Sequence, residues 1–291
     1  MGRFSESQLE QMRQLLVGCG QQAREMGAVP FEVFEKAKND FVTAVDQALD
    51  ARISVALAEW FPGDAVISEE NSRSFGLFST AAPLLWLIDP IDGTDDFIQR
   101  RPSYSTLVGL LDHFEPVAGW VGAPAVDQLY FGGKEFGVFE AAGDRPLTPL
   151  QQPTLPSLNE ACTILIGGKD YQHYGQAIAQ HIPPSIAPAQ FHTVGSFGIK
   201  VMDVVLGRAG LYVYLNRRVK LWDTTGPVAI ARAAGLICCD LEGAPLQFSP
   251  DVIQPDSLSH QQPILIGWPQ YIETLRSPIQ QAVHSIDSAQ G

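Results

Sequence analysis

The sequence predicts a chain that joins α+β and α/β organisation: an antiparallel-sheet N-terminal lobe over residues 1–150 and a mixed-sheet α/β C-terminal lobe over residues 151–291. Three observations predict it. The N-terminal segment carries two helical apolar periods, the middle is a series of short apolar runs split by turn residues, and the remainder alternates strand-like with helix-like stretches. The length of 291 residues suits one large domain or two packed lobes.

Leu9, Met12, Leu16, Cys19 and Ala23 recur at helical spacing, and Ser5 with Gln8 reads as a capping box at the start. Val42, Val45, Leu49, Ile53, Ala56 and Trp60 predict a second helix, stopped by Pro62-Gly63. Val66-Ile67 then leads into Glu69-Glu70, and the apolar run 84–88 ends at Asp89. Runs 105–111, 117–121, 129–131 and 137–139 are separated by Glu115-Pro116, Ala123-Pro124 and Gly132-Gly133, which predicts an antiparallel meander. The Pro-rich, polar stretch 143–157 marks the lobe boundary. Beyond it, strands at 163–166, 191–194, 211–215, 236–240 and 264–267 alternate with helices from Tyr171, over 196–206, after Asp223 and from Pro269.

Composition bounds the function. Hydrophobic residues make up 45% and charged residues 18%, which supplies a core and excludes disorder of the whole chain. Nineteen basic against 32 acidic residues give a net charge of −13, a field that repels polymeric nucleic acid. Cys19, Cys162, Cys238 and Cys239 lack the spacing of a disulfide framework or a zinc site, and Cys238-Cys239 in an apolar run reads as a buried pair. The N-terminus has no signal-peptide core, Glu6 breaks a myristoylation motif at Gly2, and no apolar run approaches the ~20 residues that span a bilayer. A cytoplasmic protein with no membrane partner is the expectation. His113, His173, His181, His192, His260 and His284 show no ligand spacing, and no GxSxG accompanies them, so they read as surface or loop residues. Tyr171, His173 and Tyr174 read as packing on a helix.

The sharpest feature is Trp86-Leu87-Ile88-Asp89-Pro90-Ile91-Asp92-Gly93-Thr94-Asp95-Asp96-Phe97. A buried strand ends in a carboxylate, is bent by Pro90 and presents a second carboxylate three residues on, before a glycine that frees backbone amides. Hard divalent cations need several carboxylates around one point, and two such ions serve phosphoryl transfer. Amides at a helix start near Thr94 would suit a phosphate. Turns favour Asp, Pro and Gly for their own reasons, so the motif alone leaves a structural role open. It fits neither an EF-hand loop nor the two-residue aspartate spacing of haloacid-dehalogenase phosphatases. Glu69-Glu70 lies upstream, and Asp223 opens a downstream helix, where it is either an ordinary N-cap or a ligand.

Together these segments resemble the inositol monophosphatase family of metal-dependent, lithium-sensitive phosphatases. The resemblance rests on Asp40-Phe41-Val42-Thr43-Ala44-Val45-Asp46, Ser68-Glu69-Glu70, Asp89-Pro90-Ile91-Asp92-Gly93-Thr94, Gly195-Ser196 and Trp222-Asp223, with Ala233-Ala234-Gly235 closing the following helix. It covers nearly the whole chain and implies the layered αβαβα sugar-phosphatase fold. It implies further that Glu69, Asp89 and the Ile91 carbonyl hold one magnesium ion and that Asp89, Asp92 and Asp223 hold a second, with two or three ions in all. Thr94, oriented by Asp46, would hydrogen-bond the attacking water that Glu69 helps deprotonate. Gly93, Thr94 and the amide of Asp95 would contact the phosphate of a small phosphorylated substrate, with Gly195, Ser196, Asn216 and Asp223 as further substrate contacts. A homodimer is common in the family.

Departures accompany the match. Asp95-Asp96 stands where many members have Thr-Asn, and Asn216 stands where the inositol enzymes have a glutamate for substrate hydroxyls. Ser196-Phe197-Gly198-Ile199-Lys200 looks more like the branch that hydrolyses 3′-phosphoadenosine 5′-phosphate. Arg217, Arg218 and Lys220 then either meet a second phosphate or form a solvated strand end, and Arg100-Arg101 has the same two readings. Lys36 and Lys38 lie near a family lysine but out of register with Asp40. An inositol monophosphate-like substrate is the leading expectation. A 3′(2′),5′-bisphosphate nucleotide is the alternative, with histidinol phosphate or a silent metal- and ligand-binding role behind it.

Overall fold

Five layers stack as helix, sheet, helix, sheet, helix in the computed structural model, which describes residues 4–37, 40–79 and 83–290. Gly2 and Lys38, named above, lie outside them. Helix α1 (Glu6–Ala28) begins with the predicted capping box of Ser5 and Gln8. An unpredicted hairpin follows, β1 (Val33–Ala37) with β2 (Asp40–Thr43), and α2 (Ala44–Trp60) starts only after it. Val42 is therefore a strand residue rather than part of the helix. The Thr43 hydroxyl accepts from the amides of Val45 and Asp46 and so fixes the helix start one residue later.

Strand β3 (Ala65–Ser68), a 3-10 segment Ser72–Ser79, β4 (Leu84–Asp92), the short α3 (Thr94–Ile98), β5 (Ser105–Asp112), β6 (Glu115–Ala123), β7 (Gln128–Gly133), β8 (Gly137–Ala142) and β9 (Thr148–Pro149) come next. They form a seven-stranded sheet in sequence order. The meander is antiparallel from β4 to β9, but β3 pairs parallel with β4 because the 3-10 segment carries the chain back to the same end. Helices α1 and α2 cover one face, with Met12, Leu16, Leu49 and Ile53 against Trp86, Val108 and Trp120.

The rest of the chain supplies β10 (Cys162–Ile166), α4 (Gly168–His181), β11 (Ala189–His192), α5 (Phe197–Val205), β12 (Leu211–Tyr214), α6 (Leu221–Ala233), β13 (Ile237–Cys239), the ribbon β14 (Ile253–Gln254) and β15 (Ser259–His260), β16 (Ile264–Gly267) and α7 (Pro269–Gln290). Its five-stranded sheet has the order β11-β10-β12-β16-β13, parallel among the first three and antiparallel around β16, which is the mixed sheet expected. Helices α4 and α7 pack Ile178, Leu275 and Ile279 on its outer face. Between the sheets lie α5 and α6, whose Val201, Val205, Val228 and Ile230 share one core with Leu85 and Leu107 on one side and Tyr212 and Ile266 on the other.

Helix α6 lies on the seven-stranded sheet at backbone contact. A Cβ on Gly119 would stand 2.0 Å from the Gly226 carbonyl oxygen, and one on Gly109 would stand 2.5 Å from the Gly226 nitrogen. The separation of α6 from the sheet is thus set without side-chain spacers. All four cysteines are buried and unpaired. His260 departs from the surface expectation: it is fully buried, bonded through Nε2 to Thr224 Oγ1 at 2.8 Å and edge-on to Phe248. Burial pushes its pKa down to about 3, so it stays neutral. Among the described residues no helix is long and apolar enough to cross a membrane.

Candidate active site

The site grows from an irregularity in β4. In a regular strand, residues three apart point to opposite faces. Here Asp89 lies opposite Leu107 and Asp92 opposite Ser105, so three steps on β4 match two on β5. This bulge turns Asp92 to the side of Asp89, and Thr106 Oγ1 holds it by donating to the Pro90 carbonyl at 2.9 Å. The bend anticipated at Pro90 is therefore present, and the strand continues through it.

Asp223 arrives from α6. Its structural role differs from the N-cap reading: Lys220 is the cap residue, and Asp223 sits in the first turn with Oδ2 accepting from the Lys220 amide at 2.7 Å. One carboxylate oxygen each from Asp89, Asp92 and Asp223 lies within 4.8 Å of the others. Glu69, just past β3, is charge-coupled to Asp89 and Asp223. The first three metal-ligand candidates converge as expected, and the fourth carboxylate faces them.

Asp92 is the most firmly held of the set. Its Oδ2 accepts from Ser196 Oγ at 2.5 Å, the Gly198 amide at 2.7 Å and Ser105 Oγ at 3.1 Å, while Oδ1 accepts from the Phe197 amide at 3.1 Å. The start of α5 thus grips this carboxylate. The Ser196 hydroxyl, expected to meet substrate, is spent on Asp92, and the backbone of Gly195 lines the cleft instead. Ser105, Phe197 and Gly198 carried no sequence signal for this task, since two of them act through backbone amides.

Asp89 is the opposite case. It is buried, and its Oδ1 has no hydrogen-bond partner. Burial first, then the carboxylates of Glu69, Asp92 and Asp223, push its pKa well up. Burial, then Asp92 and Glu69, push Asp223 up to about 8. A buried acceptor without a donor, among all-oxygen donors that repel one another, is what a hard divalent cation resolves, so these residues fit magnesium. The raised values set a pH dependence. Folded, metal-free protein holds the Asp223 proton up to about pH 8, whereas the unfolded chain releases it near 3.8. The folded state binds more protons between these limits, so its stability is greatest at the acid end of that window and falls as pH rises towards about 8. Thermal unfolding of chelator-treated protein should show that fall, and added magnesium should raise the melting temperature most at the alkaline end. A magnesium effect of equal size at about pH 5 and about pH 8 would contradict it.

The remaining predicted residues surround an open cleft of about 260 Å³ lined by Phe41, Glu69, Gly93, Thr94, Asp95, Asp96 and Gly195. Gly93 takes a φ of +92° at the start of α3, a left-handed conformation that glycine adopts freely. Thr94 Oγ1 donates to the Ile91 carbonyl at 3.0 Å. Asp46 Oδ2 accepts from the Thr43 amide at 2.8 Å and from the Thr43 hydroxyl, completing the α2 cap. Asp95 is exposed, whereas Asp96 is buried, accepting from the Gly195 amide at 3.1 Å and pairing with Arg101 at 3.1 Å. Asn216 is exposed at the end of β12 and outside the lining of this cleft, with Oδ1 accepting from the Tyr214 hydroxyl at 2.6 Å and the Arg218 amide at 3.1 Å. Lys220 Nζ donates to Ser259 Oγ at 2.7 Å, so it is engaged in the structure.

Known proteins share this sequence pattern and fold. The model of the inositol monophosphatase family matches residues 7–279. The chain is 30% identical over 246 residues, 83% of its length and 94% of the relative's, to the 3′(2′),5′-bisphosphate nucleotidase CysQ of Shigella flexneri. It is 31% identical over 243 residues, 79% of its length and 83% of the relative's, to the inositol-1-monophosphatase ImpA of Mycolicibacterium smegmatis. The solved IMPase of Thermotoga maritima superposes with a TM-score of 0.76 at 20% identity, covering 96% of this chain and 99% of that one. With its layers, its acidic strand end and the matched family model in agreement, the chain belongs to the inositol monophosphatase family of phosphatases.

Proposed function

We propose that the protein is a magnesium-dependent phosphomonoesterase that hydrolyses a small phosphate ester of the inositol monophosphate kind by direct attack of water. The observation that carries this reading is the convergence of one carboxylate oxygen each from Asp89, Asp92 and Asp223, with Oδ1 of the buried Asp89 left without a hydrogen-bond partner. When bound, magnesium supplies the positive charge that activates water and steadies the phosphate oxygens. Glu69, Asp89 and the Ile91 carbonyl form one ligand set, Asp89, Asp92 and Asp223 the other, for two or three ions. Glu69 takes the proton of the attacking water, and Thr94, with Asp46 behind it, orients that water. Gly93, Thr94 and the Asp95 amide receive the phosphate, the Gly195 backbone closes the cleft with Ser196 holding Asp92 behind it, and Asp223 faces the ester, while Asn216 meets only a substrate that reaches beyond the cleft. Lithium inhibition, a cytoplasmic location in keeping with four unpaired cysteines, and a homodimer complete the proposal.

A second reading, a 3′(2′),5′-bisphosphate nucleotidase acting on 3′-phosphoadenosine 5′-phosphate, is favoured by one feature. The end of β12 carries an amide, Asn216, with exposed Arg217 and Arg218 beside it, a polarity suited to a second phosphate. Phosphate release from inositol 1-phosphate, 3′-phosphoadenosine 5′-phosphate, histidinol phosphate and sugar phosphates, with magnesium or with chelator, decides between them. Magnesium-dependent release from at least one is expected. Tight binding of magnesium and substrate without release from any would overturn the enzymatic reading in favour of a silent binder.

A further inference from the structure

Asp96 carries a carboxylate into the interior beside the cleft, and a buried carboxylate needs a reason. Asp96 is 7% exposed. One oxygen accepts from the Gly195 amide and the other pairs with Arg101. Gly195 is hemmed in by it, since a Cβ there would lie 2.3 Å from Asp96 Oδ2. From the other side Lys200, also buried, donates Nζ to the carbonyls of Val194 at 3.0 Å and Gly195 at 2.9 Å. Both polar ends of Gly195 are therefore held by buried charges of opposite sign. The next residue is Ser196, which caps α5 through the Ile199 amide and donates its hydroxyl to Asp92.

We propose that Asp96, acting with Lys200 through Gly195 and Ser196, is a positioning residue that fixes the α5 start and so aims the Asp92 carboxylate at the metal. The inference rests on the reading of Asp92 as a metal ligand. Its physical basis is direct: Asp92 receives four hydrogen bonds, and three of them come from residues 196–198, immediately after the clamped glycine. A shift of the Gly195 peptide moves all three donors together. Burial holds the Lys200 ammonium below the usual lysine range, and the carboxylates of Asp92, Asp223, Asp170 and Asp96 oppose that shift. Partners that orient metal ligands typically change metal affinity by about 10–100-fold when removed.

The experiment measures the magnesium concentration at half-maximal activity and, independently, at half-maximal thermal stabilisation. Asp96→Ala should raise both midpoints about tenfold or more, over and above the fall in the chelator melting temperature that follows when the Gly195 amide loses its acceptor. Asp96→Asn, which keeps an acceptor for the Gly195 amide, should recover most of the effect. Gly195→Ala, which displaces the same carboxylate, should reproduce it and carries the test if Asp96→Ala does not fold. Unmoved midpoints in Asp96→Ala, or in Gly195→Ala where it stands in, would overturn the proposal, as would a midpoint shift that Asp96→Asn leaves wholly uncorrected. Asp223→Asn is the control. If it leaves the magnesium response intact, the metal-site reading fails; if it abolishes the response while Asp96→Ala does not shift it, only the positioning role fails.

Discussion

Asp223→Asn is expected to abolish turnover while leaving a folded protein at least as stable as the parent in the absence of metal. The amide has the shape of the carboxylate and keeps an oxygen for the Lys220 amide, so the first turn of α6 keeps its cap. It stays neutral at every pH where burial and the carboxylates of Asp92 and Glu69 disfavour a charge, so metal-free stability holds near neutral pH and rises above about pH 8, where the parent carboxyl ionises. Catalysis has no such compensation. Losing about 4 kcal/mol of transition-state charge stabilisation slows turnover about 10³-fold. Phosphate release and thermal unfolding with and without magnesium report the two halves separately. Full turnover, or an undiminished magnesium shift, would remove Asp223 from the ligand set. Asp92→Asn is the less clean experiment. Phe197 and Gly198 aim N–H donors at opposite oxygens of Asp92, so an amide NH2 meets a donor in either orientation. An unsatisfied buried donor costs about 1–3 kcal/mol, and lost stability then mixes with lost chemistry.

Gly119→Ala is expected to destabilise the fold by about 3 kcal/mol or more, at the upper end of what overpacking usually costs. The added methyl would lie 2.0 Å from the Gly226 oxygen and 2.5 Å from its carbonyl carbon and Cα, all backbone. No side chain can rotate away, so α6 itself must lift. Because α6 carries Asp223, the surviving folded fraction should also need more magnesium. Gly76→Ala provides the comparison, since a Cβ there meets nothing within 4 Å and its backbone is not left-handed. Denaturant melts of both variants suffice, and an unaffected Gly119→Ala protein would mean that the helix–sheet distance is adjustable.

These two sites also show what the sequence made legible. The α1 capping box, the strand at 264–267 and the α7 start at Pro269 follow from local pattern, because each is set by neighbours in the chain. Asp89, Asp92 and Asp223 were readable as chemistry because a turn motif and a helix start place carboxylates at element ends. Other features depended on contacts distant in the chain. The β1–β2 hairpin exposes Val33 and Phe34, so it lacks the buried alternation that announces a strand, and Val42 continues the helical period into it by accident of spacing. His260 looks like any loop histidine until the β14–β15 ribbon folds it against Thr224 and Phe248. Gly109 and Gly119 fall in the predicted apolar runs and Gly226 in the helix predicted after Asp223, and only the packed layers show how closely they approach. Ser196 matched a family motif, but its bond to Asp92 needed the α5 start brought across from the other half of the chain.

The shared middle layer has a consequence for synthesis. The seven-stranded sheet is finished by Pro149, yet α5 and α6, which cover its inner face, are not made until residues 197–233. During that interval Leu85, Leu87, Leu107 and Val121 have no protein partner from the middle layer, and the nascent sheet is a sticky intermediate that invites chaperone capture or aggregation. On the proposed ligand set, a chain still on the ribosome owns Asp89 and Asp92 but lacks Asp223 and the grip of α5, so the metal site is expected to form only when the last partner has been translated and folded into place.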